Sequence, residues 1–238
     1  MDERPARMLS AYFGLDHAMP ETSRGLCFRA PGQDGVPVTF SRRVVGPITP
    51  EAFTVHTKSG ALLHPSCATT RPADGPAKDH TVLLIGDIGS EPNDPPVSVE
   101  VTGHFALDGG DAHGLSSPVT PLADGPSMLM ALVFRVDHAT TDCPSPRTRQ
   151  GVAVVWAGGV RNAPGVSEEA HRLGYRVTTR GGSRTPFALA DLGDRDNYEH
   201  VCLDTDEVPE RITFAAGLLV DPRGDANPET SIDVSAAR

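Results

Sequence analysis

Gly35-Val36-Pro37-Val38-Thr39-Phe40 and Gly151-Val152-Ala153-Val154-Val155-Trp156 read as one strand written twice. In the first, Val36, Val38 and Phe40 alternate with Pro37 and Thr39. In the second, Val152, Val154 and Trp156 occupy the same positions. Period-2 alternation of β-branched and aromatic residues is what a half-buried strand requires, because successive side chains leave opposite faces.

The match extends outward in both directions. Leu26-Cys27-Phe28-Arg29 precedes the first segment and Leu132-Val133-Phe134-Arg135 the second; Val44 follows the first and Val160 the second. Further on, Phe53-Thr54-Val55-His56-Thr57-Lys58-Ser59-Gly60 lines up with Tyr175-Arg176-Val177-Thr178-Thr179-Arg180-Gly181-Gly182. Pro65 lines up with Pro186, and Asp79-His80-Thr81-Val82-Leu83 with Glu199-His200-Val201-Cys202-Leu203. Ordered matches at an offset of roughly 120 residues argue for an internal duplication. The Pro/Asp/Gly cluster from Pro121 to Pro126 marks the joint. This reading divides the chain into a short N-terminal arm at 1–20, one repeat at 21–124 and a second at 125–238. The arm, with Met8 to Phe13, has no partner in the second copy on this alignment.

Short alternating segments recur through each copy, including Val97, Val99 and Val101 and, later, Ile212 and Phe214. Turn clusters such as Gly32-Gln33-Asp34-Gly35 and Asp108-Gly109-Gly110-Asp111 separate them. Helical patterning is confined to Pro50-Glu51-Ala52 and Ser167 to Leu173, each just before the same aligned strand. The expectation is an all-β protein of two tandem β-sandwich domains. Val38, Phe40, Val55, Leu83, Val154, Trp156, Val177 and Leu203 are the expected core. Val38-Thr39-Phe40-Ser41 followed by Ile48-Thr49-Pro50-Glu51-Ala52-Phe53-Thr54-Val55 resembles the opening strands of bacterial immunoglobulin-like domains of the S-layer type. That resemblance implies an immunoglobulin-like fold and an extracellular adhesive or spacer role.

Composition removes several function classes. Lys plus Arg total 21 against 31 Asp plus Glu, a formal charge of −10, so a nucleic-acid partner is not expected. No apolar stretch approaches the ~20 residues of a membrane helix, so no membrane partner is expected either. Met1 to Pro5 carries two acids and no apolar run follows. This start predicts a cytoplasmic protein, with Cys27, Cys67, Cys143 and Cys202 as free thiols. Without a C-x-x-C pair a structural zinc site is not expected, and no nucleotide-loop or dinucleotide fingerprint calls for an organic cofactor.

Three candidate sites remain. Asp191 to Asn197, with Asp194, Asp196 and Asn197, and Asp221 to Glu229, with Asp225, crowd carboxylates and amides into loops. Calcium is the cation such oxygen donors would take, although the same residues also build ordinary turns. The second candidate is the repeated acid–histidine pair, Asp79-His80 and Glu199-His200. Alternation puts Val201 and Leu203 on the core face and His200, with Cys202 and Asp204, on the other. Asp196 and Asp204 would then tune His200 as an acid, with His80 beside it across an interdomain cleft. The third is His17, on the N-terminal arm with Asp16 and Tyr12. These residues suggest a cofactor-independent enzyme of cyclase, isomerase or lyase type acting on a small-molecule substrate. The alternative is a non-catalytic tandem immunoglobulin-like binding or scaffolding module. Oligomeric state is not readable from the sequence.

Overall fold

The alternating segments do become strands. The computed structural model describes residues 5–73, 78–134, 143–144, 146–192 and 196–236. The chain divides into two compact units, Met1–Asp124 and Gly125–Arg238. In the first, the strands are β1 (Met8–Tyr12), β2 (Asp34–Phe40), β3 (Phe53–Thr57), β4 (Leu62–Leu63) and β5 (Cys67–Thr69). They continue with β6 (Thr81–Gly86), β7 (Pro96–Val101), β8 (Ala106–Leu107), β9 (Gly110–Asp111) and β10 (Ser116–Thr120). The second unit holds β11 (Met128–Phe134), β12 (Gln150–Trp156), β13 (Arg161–Asn162), α1 (Glu168–Gly174), β14 (Tyr175–Thr179) and β15 (Gly182–Arg184). It ends with β16 (Ala188–Ala190), β17 (Tyr198–Leu203), β18 (Pro209–Phe214), β19 (Leu219–Val220) and β20 (Thr230–Ala236).

Each unit is built on one curled eight-stranded sheet. The order is β4-β3-β7-β10-β1-β2-β6-β5 in the first and β15-β14-β18-β20-β11-β12-β17-β16 in the second. Position by position these are the same order. Even the irregularities recur: β1 bulges between Met8 and Ser10 and β11 between Met128 and Met130. A bulge costs a ladder bond, so finding it at one place in both copies marks it as part of the design. The curl brings β2 and β6 over β3 and β7. Val36, Val38, Phe40, Val82 and Leu84 there meet Phe53, Val55, Val99 and Val101 in one core. Trp156, Tyr175, Val177, Val201, Ile212 and Phe214 form the second. Burying each large apolar side chain contributes ~1.5–3 kcal/mol.

Four expectations need correction. The N-terminal arm is not an appendage: Met8–Tyr12 is an internal strand, paired on one side with β2 and on the other with β10. Its counterpart is Met128–Phe134, and both begin Met-Leu-x-Ala. Leu26-Cys27-Phe28-Arg29 is therefore not the partner of Leu132-Val133-Phe134-Arg135; it lies in the β1–β2 connection, where Phe28 is exposed. Leu83 is only half-buried, because the alternation of β6 turns Val82 and Leu84 to the core and sets Leu83 in a smaller cluster with Ile85 and Met19. The cysteines are not free. Cys27 pairs with Cys67 and Cys143 with Cys202. Their Cα atoms stand 6.5 and 5.8 Å apart, within bridging range. Both cystines tie the connection between a unit's first two strands to the β5–β6 side of its sheet or the equivalent β16–β17 side. Among the described residues no helix is long and apolar enough to cross a membrane.

Candidate functional site

Strand register decides what each predicted residue does. Val38 faces Val82 across β2 and β6, and Val154 faces Glu199 across β12 and β17. Glu199 thus stands where the first unit has Val82, and His200 where it has Leu83. His80 is not the counterpart of His200. The amide of Phe40 donates to the His80 carbonyl and the amide of Trp156 to the Asn197 carbonyl, so His80 and Asn197 correspond. Their side chains do the same job. His80 Nδ1 donates to the Phe40 carbonyl at 3.1 Å, and Asn197 Nδ2 to the Trp156 carbonyl at 2.9 Å. Each closes the end of a strand. Burial holds the His80 pKa below the ordinary imidazole value, against the opposing pull of the Phe40 carbonyl.

The other described candidates each have partners of their own. His200 is buried, with Nε2 at 3.7 Å from Asp191 and the Phe134 ring at 4.8 Å. Asp204 is paired instead with Arg147 Nη2, at 2.8 Å. Asp196 is buried and accepts from the Tyr198 amide. Asp225 pairs with Arg223, while Asp221 Oδ1 accepts from the amides of Arg223, Gly224 and Asp225 in a tight turn. Asp194 lies outside the described residues.

Among the described residues two clusters stand out, and the sequence pointed to part of each, Glu199 in one and Asp16 with His17 in the other. In the second core, Glu199 Oε2 accepts from the hydroxyl of Tyr175, from Trp156 Nε1 at 3.3 Å and from His171 Nε2 at 3.2 Å. All four side chains are buried. Helix α1 delivers His171: Ser167 caps it by accepting the Ala170 amide, and His171 falls one turn later on the inner face. Burial, then the Glu199 charge, lifts the Tyr175 hydroxyl well above its ordinary pKa, so it donates as a neutral phenol. The signal was readable, because the alternation that turns Val201 and Leu203 inward also turns Glu199 inward.

The second cluster joins the β1–β2 connection to the start of β2. One ligand atom each from Asp16, His17 and Asp34 lies within 4.8 Å of the others. Backbone amides hold the carboxylates in place. His17 N and Ile88 N donate to the two oxygens of Asp34, each at 2.8 Å, and Glu91 N donates to Asp16 Oδ2 at 2.9 Å. His17 adopts left-handed backbone, φ 48°, and turns its ring to both acids. Nδ1 is 3.3 Å from Asp34 and Nε2 3.7 Å from Asp16. Burial raises the Asp34 pKa, opposed by its two amide bonds.

No protein-family model, curated protein or solved structure matches the chain. The candidate residues therefore rest on geometry alone. An imidazole between two oriented carboxylates suits cation binding, whereas the Glu199 network, sealed in a core, suits structural specification.

Proposed function

We infer that the chain is a non-catalytic tandem module of immunoglobulin-like units, a spacer that transmits tension in an oxidising compartment. One observation carries this reading. In each unit the first and last strands lie side by side and run the same way, Ala11 beside Val119 in one and Ala131 beside Val234 in the other. Adjacent parallel strands send a unit's entry and exit to opposite ends of the pair. Tension applied at those ends loads the strand-to-strand hydrogen bonds together, in shear, instead of opening them one by one.

The strand order supports the immunoglobulin-like assignment. Strands one, two, six and five of each unit form one half of the curl, and strands four, three, seven and last the other. That is the arrangement of an immunoglobulin sandwich with one added edge strand. The two cystines favour an oxidising compartment over the cytosol. His80 and Asp204 are each committed to a structural partner, which weighs against the enzyme reading. Pulling the chain from its two ends tests the proposal. Two abrupt high-force ruptures support a spacer built for shear, and gradual low-force peeling removes it.

A further inference from the structure

We propose that Asp16, His17 and Asp34 form a binding site for one first-row divalent transition-metal ion, of the zinc type. The three ligand atoms already converge. Asp16 Oδ1 is sealed from solvent and accepts no hydrogen bond, an expensive state for a carboxylate oxygen. Asp34 is wholly buried, so two acids face one imidazole in a poorly solvated place. A dication would answer both charges. Amides of His17, Ile88 and Glu91 fix the carboxylates, as the outer partners of metal ligands do. The His17 side chain is 55% exposed, which leaves an entry path and open positions for water.

The duplication supplies an internal control. Asp34 opens β2 and faces Gly86; Gln150 opens β12 and faces Leu203. At that place the second unit has a neutral amide, which donates to the carbonyls of Thr205 and Glu207 at 2.6 and 2.7 Å. The fold therefore completes this corner without a buried acid, and the first unit's cluster answers some other need. Imidazole beside carboxylate selects zinc, cobalt or manganese over calcium and magnesium, which favour all-oxygen sites.

The test uses the full oxidised chain, stripped with a chelator, then titrated calorimetrically with Zn²⁺ and spectroscopically with Co²⁺. The site predicts one ion per chain, visible d–d bands for bound Co²⁺, and a higher melting temperature with Zn²⁺. His17→Ala and Asp16→Asn should leave the metal-free melt near wild type, yet each weaken binding at least tenfold. His104→Ala, which disrupts the exposed pair His104 and His113 stacked at 4.4 Å, should not change it. Absence of binding, undiminished affinity in both site variants, or loss of binding in His104→Ala instead would each overturn the assignment.

Discussion

Replacing Glu199 with valine puts into the second unit the residue the first unit already carries at Val82. The consequence should nonetheless be severe. Three buried donors, the Tyr175 hydroxyl, Trp156 Nε1 and His171 Nε2, would lose their common acceptor. An orphaned buried polar group costs ~1–3 kcal/mol, and removing the carboxylate gives back part of its own desolvation. Breaking a buried charged network from one side typically nets ~3–5 kcal/mol. At ~2.1 cal/mol/K of unfolding entropy per residue, that lowers the melting temperature of a unit this size by roughly 15 °C. The chain has a single tryptophan, Trp156, buried beside Glu199, so its fluorescence follows this unit alone through a urea titration. A second substitution sharpens the test. Tyr175→Phe, which recreates Phe53 of the first unit, should destabilise the wild type but stabilise Glu199→Val, because it removes one orphaned hydroxyl. The two substitutions should couple by more than ~1 kcal/mol. A Glu199→Val cost below 1 kcal/mol, or an equal Tyr175→Phe effect in both backgrounds, would refute the network.

The cystines close loops with sequence separations of 40 and 59 residues. Loop-closure entropy assigns each ~4 kcal/mol, so reduction should lower both melts by more than 10 °C. Thiol titration of the denatured, unreduced chain should find none, and four thiols there would contradict the pairing. His80 has a depressed pKa, so the unfolded chain takes up this proton at higher pH than the folded one. Its contribution is complete above about pH 6.5 and is lost as pH falls through that value towards the lower folded pKa. His80→Asn keeps the bond that Asn197 makes in the other unit, so it should fold and show a shallower loss of melting temperature between pH 7.5 and 5. An unchanged pH slope would clear His80 of that role.

What the sequence could reveal follows from the range of the interaction. Alternation is local, so Val36 to Phe40 and Val152 to Trp156 announced their strands and inward faces. The joint near Pro121 to Pro126 is also local, and the boundary between the two units falls within it, after Asp124. The register of the duplication is not local. Asp79-His80 resembles Glu199-His200 more than its true counterpart Asp196-Asn197, since chemical likeness outweighed a three-residue shift that only strand pairing reveals. Met8–Tyr12 passed as an arm because a strand's place in a sheet depends on neighbours far along the chain, here Val119 and Val38. The cystines join residues 40 and 59 apart in sequence, a relation that spacing alone cannot specify. At the candidate site, Asp16 and His17 drew notice as neighbours. Asp34 did not, although it shares the parity of Val36, Val38 and Phe40, because it looked like the end of a turn.

The tension-transmitting account is tested most directly by stretching single chains from their ends, first oxidised and then reduced. From Met8 to Thr120 with the Cys27–Cys67 loop held shut, about 70 residues are free to extend, or ~260 Å at ~3.6 Å per residue. From Met128 to Ala236 with the Cys143–Cys202 loop shut, about 50 are free, or ~180 Å. Oxidised chains should therefore give two abrupt ruptures of unequal length near these values. Reduced chains should give two nearly equal ones close to 400 Å, with the folded length subtracted from each. A single rupture, lengths unaltered by reduction, or extension without force peaks would contradict the account.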